Sequence, residues 1–140
     1  MELPYGEDIN YWKTGRSSYD MWVDRAKSQI EKFDGKILAE GFGSNAGGQA
    51  AFMIGFEMQG DKFKVIWPIL PSKNKDVKAA KIQAATMLYH DVKAKCISAT
   101  VLGAKAAFFS YLMLPDGRTA IQATDKELFD GIPKQLLISD

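Results

Sequence analysis

The sequence predicts an α+β fold: an antiparallel sheet of three or more strands with two helices on one face, in the order helix, three strands, helix, plus a C-terminal extension. Three observations carry this. A helical period runs through residues 18–33, two alternating apolar runs flank a turn at 59–62, and a longer helical period opens near Asn74. At 140 residues, 46% hydrophobic and 25% charged, the chain has the size and apolar content of one domain with one core, residues 1–140.

Residues 1–16, "MELPYGEDINYWKTGR", show no period and read as an N-terminal arm, ahead of a core at 17–102 and an extension at 103–140. In the first helix, Ser18 to Phe33, the residues Tyr19, Trp22, Val23, Ala26, Ile30 and Phe33 recur at three-and-four spacing. Ser17 with Asp20 approximates a capping box, and Asp34-Gly35 supplies the stop. Strand candidates follow at 36–42, at 50–58, where Phe52, Ile54, Phe56 and Met58 share a face, and at 62–67, where Phe63, Val65 and Trp67 do. "QGDK" makes the last two a hairpin.

Pro68 and Pro71 end the strands. The second helix, from about Asn74 through Ala99, puts Val77, Ala80, Ala84, Met87 and Leu88 on one stripe and Lys75, Lys78 and Lys81 on the other side. That other side later becomes Tyr89, Val92 and Cys96, so it too needs a cover, which the chain after residue 103 would provide. There an apolar segment leads to a Pro115-Asp116-Gly117 turn and a strand, and "TDKE" at 124–127 opens a short last helix ending near Gly131.

Charge and motif chemistry narrow the functions. The net charge is +1, yet residues 73–105 hold seven lysines against Asp76 and Asp91, a local excess of five. A single cysteine, Cys96, allows no internal disulfide, and no basic and apolar leader follows Met1, so a cytoplasmic protein is expected. Lys105 interrupts the longest apolar stretch, which argues against a membrane partner. His90 and Asp91 are adjacent and diverge by ~100° on a helix, while Cys96, six residues beyond His90, lies ~240° around from it, so no nucleophile pair forms. Asp20 and Asp24, with Ser28 or Glu31, could approach a hard cation but fall on a polar helix face, where charge is expected. The expectation is a protein without catalytic residues, metal or cofactor.

The glycine cluster "GFGSNAGGQA" invites a phosphate-loop reading. Its chemistry opposes one: it lacks the Gly-Lys-Ser/Thr ending and leads into a strand, where a phosphate loop needs a helix N-terminus. It reads as a connection between strands. Lys73, Lys75, Lys78 and Lys81 are more informative, because cations oppose the dipole at a helix start and so add nothing to its stability there. With Lys62 and Lys64 from the hairpin they form the candidate phosphate contacts. Trp12, Lys13 and Arg16, with Tyr11 and Tyr19, could serve a single-strand reader by stacking on bases.

"VKAAKIQAATML", residues 77–88, resembles the start of the last helix of double-stranded-RNA-binding domains, with Lys78, Ala80, Lys81, Ala84, Ala85 and Leu88 at the matching positions. The element order of that family matches residues 18–95 as well. The resemblance implies Lys78 and Lys81 as phosphate contacts and the loop carrying Gly43, Ser44, Asn45, Gly47 and Gly48 as a minor-groove finger. The chain departs from the family in the loop, which has no His or Pro, and in "PILPSKN" before the helix. The ending "KAK…FFSYLMLPDGRT" resembles small phage and mobile-element proteins, a setting in which single-strand annealing proteins also occur. The expected partner is therefore nucleic acid, single-stranded DNA or duplex RNA. The alternative is a structural protein that self-associates into a homo-oligomer.

Overall fold

The computed structural model describes residues 2–44 and 48–120. Ser18, one residue later than the expected Ser17, caps the first helix: its hydroxyl accepts the Met21 N–H at 3.3 Å, and α1 runs Tyr19–Lys32. The helix stops where Asp34 takes a φ of 66° and the Gly35 N–H reaches back to the Ile30 carbonyl at 2.9 Å. Gly35 is needed there for space, because a Cβ would meet Ile30 Cγ2 at 2.5 Å and the Ile30 carbonyl oxygen at 2.9 Å.

Three antiparallel strands follow in the spatial order β1 (Lys36–Ser44), β2 (Ala50–Met58), β3 (Asp61–Pro68). Gln59 and Gly60, at φ values of 54° and 85°, make the β2–β3 connection a two-residue turn with both central residues left-handed, closed by the Met58–Asp61 pair. On β2 and β3 the buried residues are Phe52, Ile54, Phe56, Met58, Phe63 and Val65; Trp67, on the same face, is only partly buried. β1 alternates poorly because its register shifts between Ile37 and Ala39, leaving Leu38 exposed.

Asp76 sets the start of the second helix: its carboxylate accepts the Ala79 N–H at 3.1 Å, so α2 spans Val77–Leu102 and begins later than Asn74. Its buried stripe is Ala80, Ala84, Leu88, Val92, Cys96 and Ala99, which step by four or three residues. Two expectations change. Val77, in the first turn, is 59% exposed, and Val92 and Cys96 continue the same stripe as Leu88 instead of occupying the opposite side. Both helices cover one sheet face, since Val23, Ala26 and Ile30 of α1 join that stripe and the inward strand residues in one apolar cluster.

The start of the chain beyond α2 packs into this core through Ala104, Phe108 and Leu112. Gly103, at φ 90°, turns it into a short helix, α3 (Ala104–Ala107), and a 3-10 turn at Phe109–Tyr111. The expected apolar segment is thus partly helical. Phe108 is fully buried, edge-on to Phe56 at 5.1 Å and tilted against Phe63 at 5.5 Å. Leu112 bridges Phe63, and Met113 bridges Thr119 across the turn containing Gly117, so the extension also lies beside the first half of β3. The helix expected at 124–131 lies outside the described residues.

Candidate nucleic-acid interface

Lys81 joins three elements at one end of the molecule. From the second turn of α2 its ammonium lies 4.6 Å from the ring centre of Phe42, near the end of β1, and 5.4 Å from that of Tyr19, the first residue of α1. Phe42 is 51% exposed although its ring lies tilted against the buried Phe52 at 5.3 Å. Tyr19, Asp20, Glu40, Gly41 and Phe42 also border a cleft of about 230 Å³. Lys78, three residues earlier, is exposed. Lys75 is exposed too and holds a φ of 56° just before the capping Asp76.

The glycine-rich connection starts beside Phe42. Gly43, Ser44 and Gly48 are exposed, while Asn45 and Gly47 lie outside the described residues. Gln49 pins the exit of this loop: its side-chain amide donates to the carbonyls of Ala50 and Ile69, each at 2.9 Å. The exit of the loop is thereby tied to the start of β2 and to Ile69, just past the end of β3.

The remaining predicted contacts fall into other groups. Lys62 and Lys64 point to the sheet face away from the helices, because Phe63 and Val65 between and after them face the core. Lys62, opposite Glu57, also lies at the end of the sheet remote from the loop. Trp12 packs against the core, and Lys13 pairs with Asp76 at 3.0 Å. Arg16 is exposed on the link into α1. Tyr11, at φ 71°, stacks on His90 at 5.0 Å.

Lys73 is engaged by the arm, which folds back onto the approach to α2. The Glu7 carboxylate accepts from the Ser72 hydroxyl at 2.8 Å and from the N–H groups of Lys73 and Asn74 at 3.0 and 3.3 Å. Asp8 takes the Lys73 ammonium at 2.9 Å. Partial burial pushes the Glu7 carboxyl up, but these donors outweigh it and hold the group below its ordinary value. The hydrogen bond to Asp8 raises Lys73, and the Ala79 N–H, with Lys13, lowers Asp76. Gln83, fully buried on α2, anchors the arm by donating to the carbonyls of Gly6, Ile9 and Asn10 at 2.8, 3.2 and 3.0 Å.

His90 and Cys96 are in different surroundings. His90 is exposed among Tyr11, Trp22 and Tyr89, whereas Cys96 is buried, and burial pushes its thiol up to about 11, away from thiolate chemistry. Asp24 pairs with Lys27 at 3.2 Å. No group of three or more His, Cys, Asp or Glu side chains that could hold a metal occurs among the described residues, and no helix among them is long and apolar enough to cross a membrane.

No family model, curated protein or solved structure matches the chain. The site rests on the geometry above. Sequence reasoning missed Phe42, which lies in a strand of poor alternation, and the carboxylates of Glu7 and Asp8, whose partners lie 65 to 67 residues away. Gln83 left a readable signal, a polar residue beside the apolar stripe at Ala80 and Ala84.

Proposed function

We propose that this protein is a non-catalytic binder of single-stranded nucleic acid, with Lys78 and Lys81 on backbone phosphates and Phe42 stacking on a base. The observation that carries the reading is the placement of the Lys81 ammonium 4.6 Å from an exposed phenylalanine at the root of a glycine-rich loop. A phosphate held by that ammonium would bring its own base within reach of the ring, and the aromatic face accepts any base. The helix, three-strand, helix order with lysines at the second helix start also resembles double-stranded-RNA-binding domains. The finger and the helix approach depart from their pattern, however, and an exposed aromatic ring is better used by unstacked bases than by a duplex.

Fluorescence anisotropy with labelled single-stranded DNA, single-stranded RNA, duplex DNA and duplex RNA tests this. Phe42→Ala should weaken single-strand binding by about 1–3 kcal/mol, roughly 5- to 150-fold, and leave any duplex binding nearly unchanged. Preference for duplex RNA with no effect of Phe42→Ala would return the assignment to the duplex-binding class. Absence of binding to all four at low salt would end the nucleic-acid reading.

A second reading, self-association, is favoured by a different surface. Ile97, Val101 and Leu102 near the end of α2 are 52, 79 and 66% exposed, a cluster of the kind that marks protein contacts. Light scattering on the wild type and on Val101→Asp/Leu102→Asp separates the two: a wild-type dimer that the variant dissociates supports it, and a wild-type monomer at high concentration rejects it.

A further inference from the structure

We infer that residues 5–13 form an autoinhibitory strap, in which the Glu7 and Asp8 carboxylates occupy the basic approach to α2 that a nucleic-acid phosphate takes when the strap leaves. The inference rests on the nucleic-acid reading above and adds a competing internal ligand to it. The donors gathered on the two carboxylates are a hydroxyl (Ser72), two backbone N–H groups (Lys73 and Asn74) and an ammonium (Lys73). That is the donor set a phosphate diester uses, and carboxylate and phosphate compete for it on charge and geometry alike.

The strap is built to dock as a unit. Gly6 donates to the Pro71 carbonyl at 2.8 Å, Gln83 holds three strap carbonyls, and Lys13 closes the far end on Asp76 at 3.0 Å. Gly6 has to be a glycine for this docking, since a Cβ would meet the Gln83 side-chain oxygen at 2.7 Å and the Trp12 ring at 2.9 Å. Among the described residues, three of the five non-glycine residues with positive φ, Tyr11, Lys13 and Lys75, lie in the strap or in the segment beneath it. Such conformations persist only where the surroundings over-determine them, so departure of the strap relaxes all three.

Displacement frees the Lys73 ammonium and the amides of Lys73 and Asn74 to join Lys75, Lys78 and Lys81. The wild-type affinity for nucleic acid is therefore the net result of a competition, and removing the strap's charge strengthens binding. Glu7→Gln/Asp8→Asn is compared with Glu31→Gln/Asp34→Asn, which makes the same change in net charge at the C-terminal end of α1. For a labelled single-stranded DNA, the strap variant should bind roughly tenfold more tightly than wild type and add about 0.7 to the salt slope, the contribution of one more phosphate contact. The control should stay within about threefold.

Hydrogen exchange reads the strap itself. The Gly6 amide, bonded to Pro71 in the free protein, should lose protection when DNA binds. Equal affinities for the two double variants, or a Gly6 amide that stays protected in the complex, would overturn the strap and leave the nucleic-acid reading standing. Failure of all three proteins to bind at low salt would overturn both.

Discussion

Truncating Phe108 tests whether the extension is part of the fold or an appendage to it. The ring is fully buried and contacts Phe56 and Phe63 at centroid distances of 5.1 and 5.5 Å. Replacing a buried phenylalanine by alanine costs about 3–5 kcal/mol in lost transfer energy and cavity formation. Each aromatic pair contributes a further ~0.5–1.5 kcal/mol beyond burial, so the upper part of that range, about 4–5 kcal/mol, is expected for Phe108→Ala. Against a total stability of roughly 5–15 kcal/mol for a domain, the variant keeps at most about three quarters of its margin. Urea unfolding followed by tryptophan fluorescence should show a much lower midpoint at unchanged slope. The neighbouring Phe109, 53% exposed, is the internal control, and Phe109→Ala should fall within about 0.5 kcal/mol of wild type. A loss below about 1 kcal/mol for Phe108→Ala would refute the claim that the start of the extension is part of the core.

Two further outcomes are expected. Ser18→Ala should cost about 1 kcal/mol, because it removes the oxygen that accepts the Met21 N–H, while Ser17→Ala should cost less than about 0.5 kcal/mol in the same unfolding assay. In acid the strap should loosen. The Glu7 and Asp76 carboxyls are held below their ordinary values in the folded protein, and a carboxyl depressed by folding contributes stability above its unfolded pKa and loses it as pH falls through the folded one. The Lys73 and Asn74 amide resonances should thus be constant near neutrality and move together only once the pH falls below the ordinary carboxylate range, and Glu7→Gln should abolish the movement. A Glu7→Gln profile identical to wild type would contradict it.

The helices and the β2–β3 hairpin were legible because each is specified locally. The spacing of Val23, Ala26 and Ile30, the alternation of Phe52 to Met58 and the Gln59-Gly60 turn need no distant partner to be recognised. What stayed hidden depends on contacts across the chain. The bulge at Leu38 disguises β1, and the helical start of the extension follows from Gly103 and from Phe108 reaching the sheet. The arm has no period because its structure is imposed by Gln83, Ser72 and Lys73 rather than by its own residues. For the site, the lysines of α2 could be read from charge alone. Their division into Lys78 and Lys81 beside Phe42, Lys73 beneath the strap, and Lys62 and Lys64 on the far sheet face could not, because strand parity and long-range pairing decide it.

The most direct test of the interface is the salt dependence of single-stranded DNA binding for wild type and Lys78→Glu/Lys81→Glu. If both ammonium groups sit on phosphates, the slope of log affinity against log salt should fall by at least about 1.4, the contribution of two single-strand contacts, with weaker binding at every salt concentration. A double variant that binds with wild-type affinity and an unchanged slope would contradict the assignment of these two lysines to the nucleic-acid backbone.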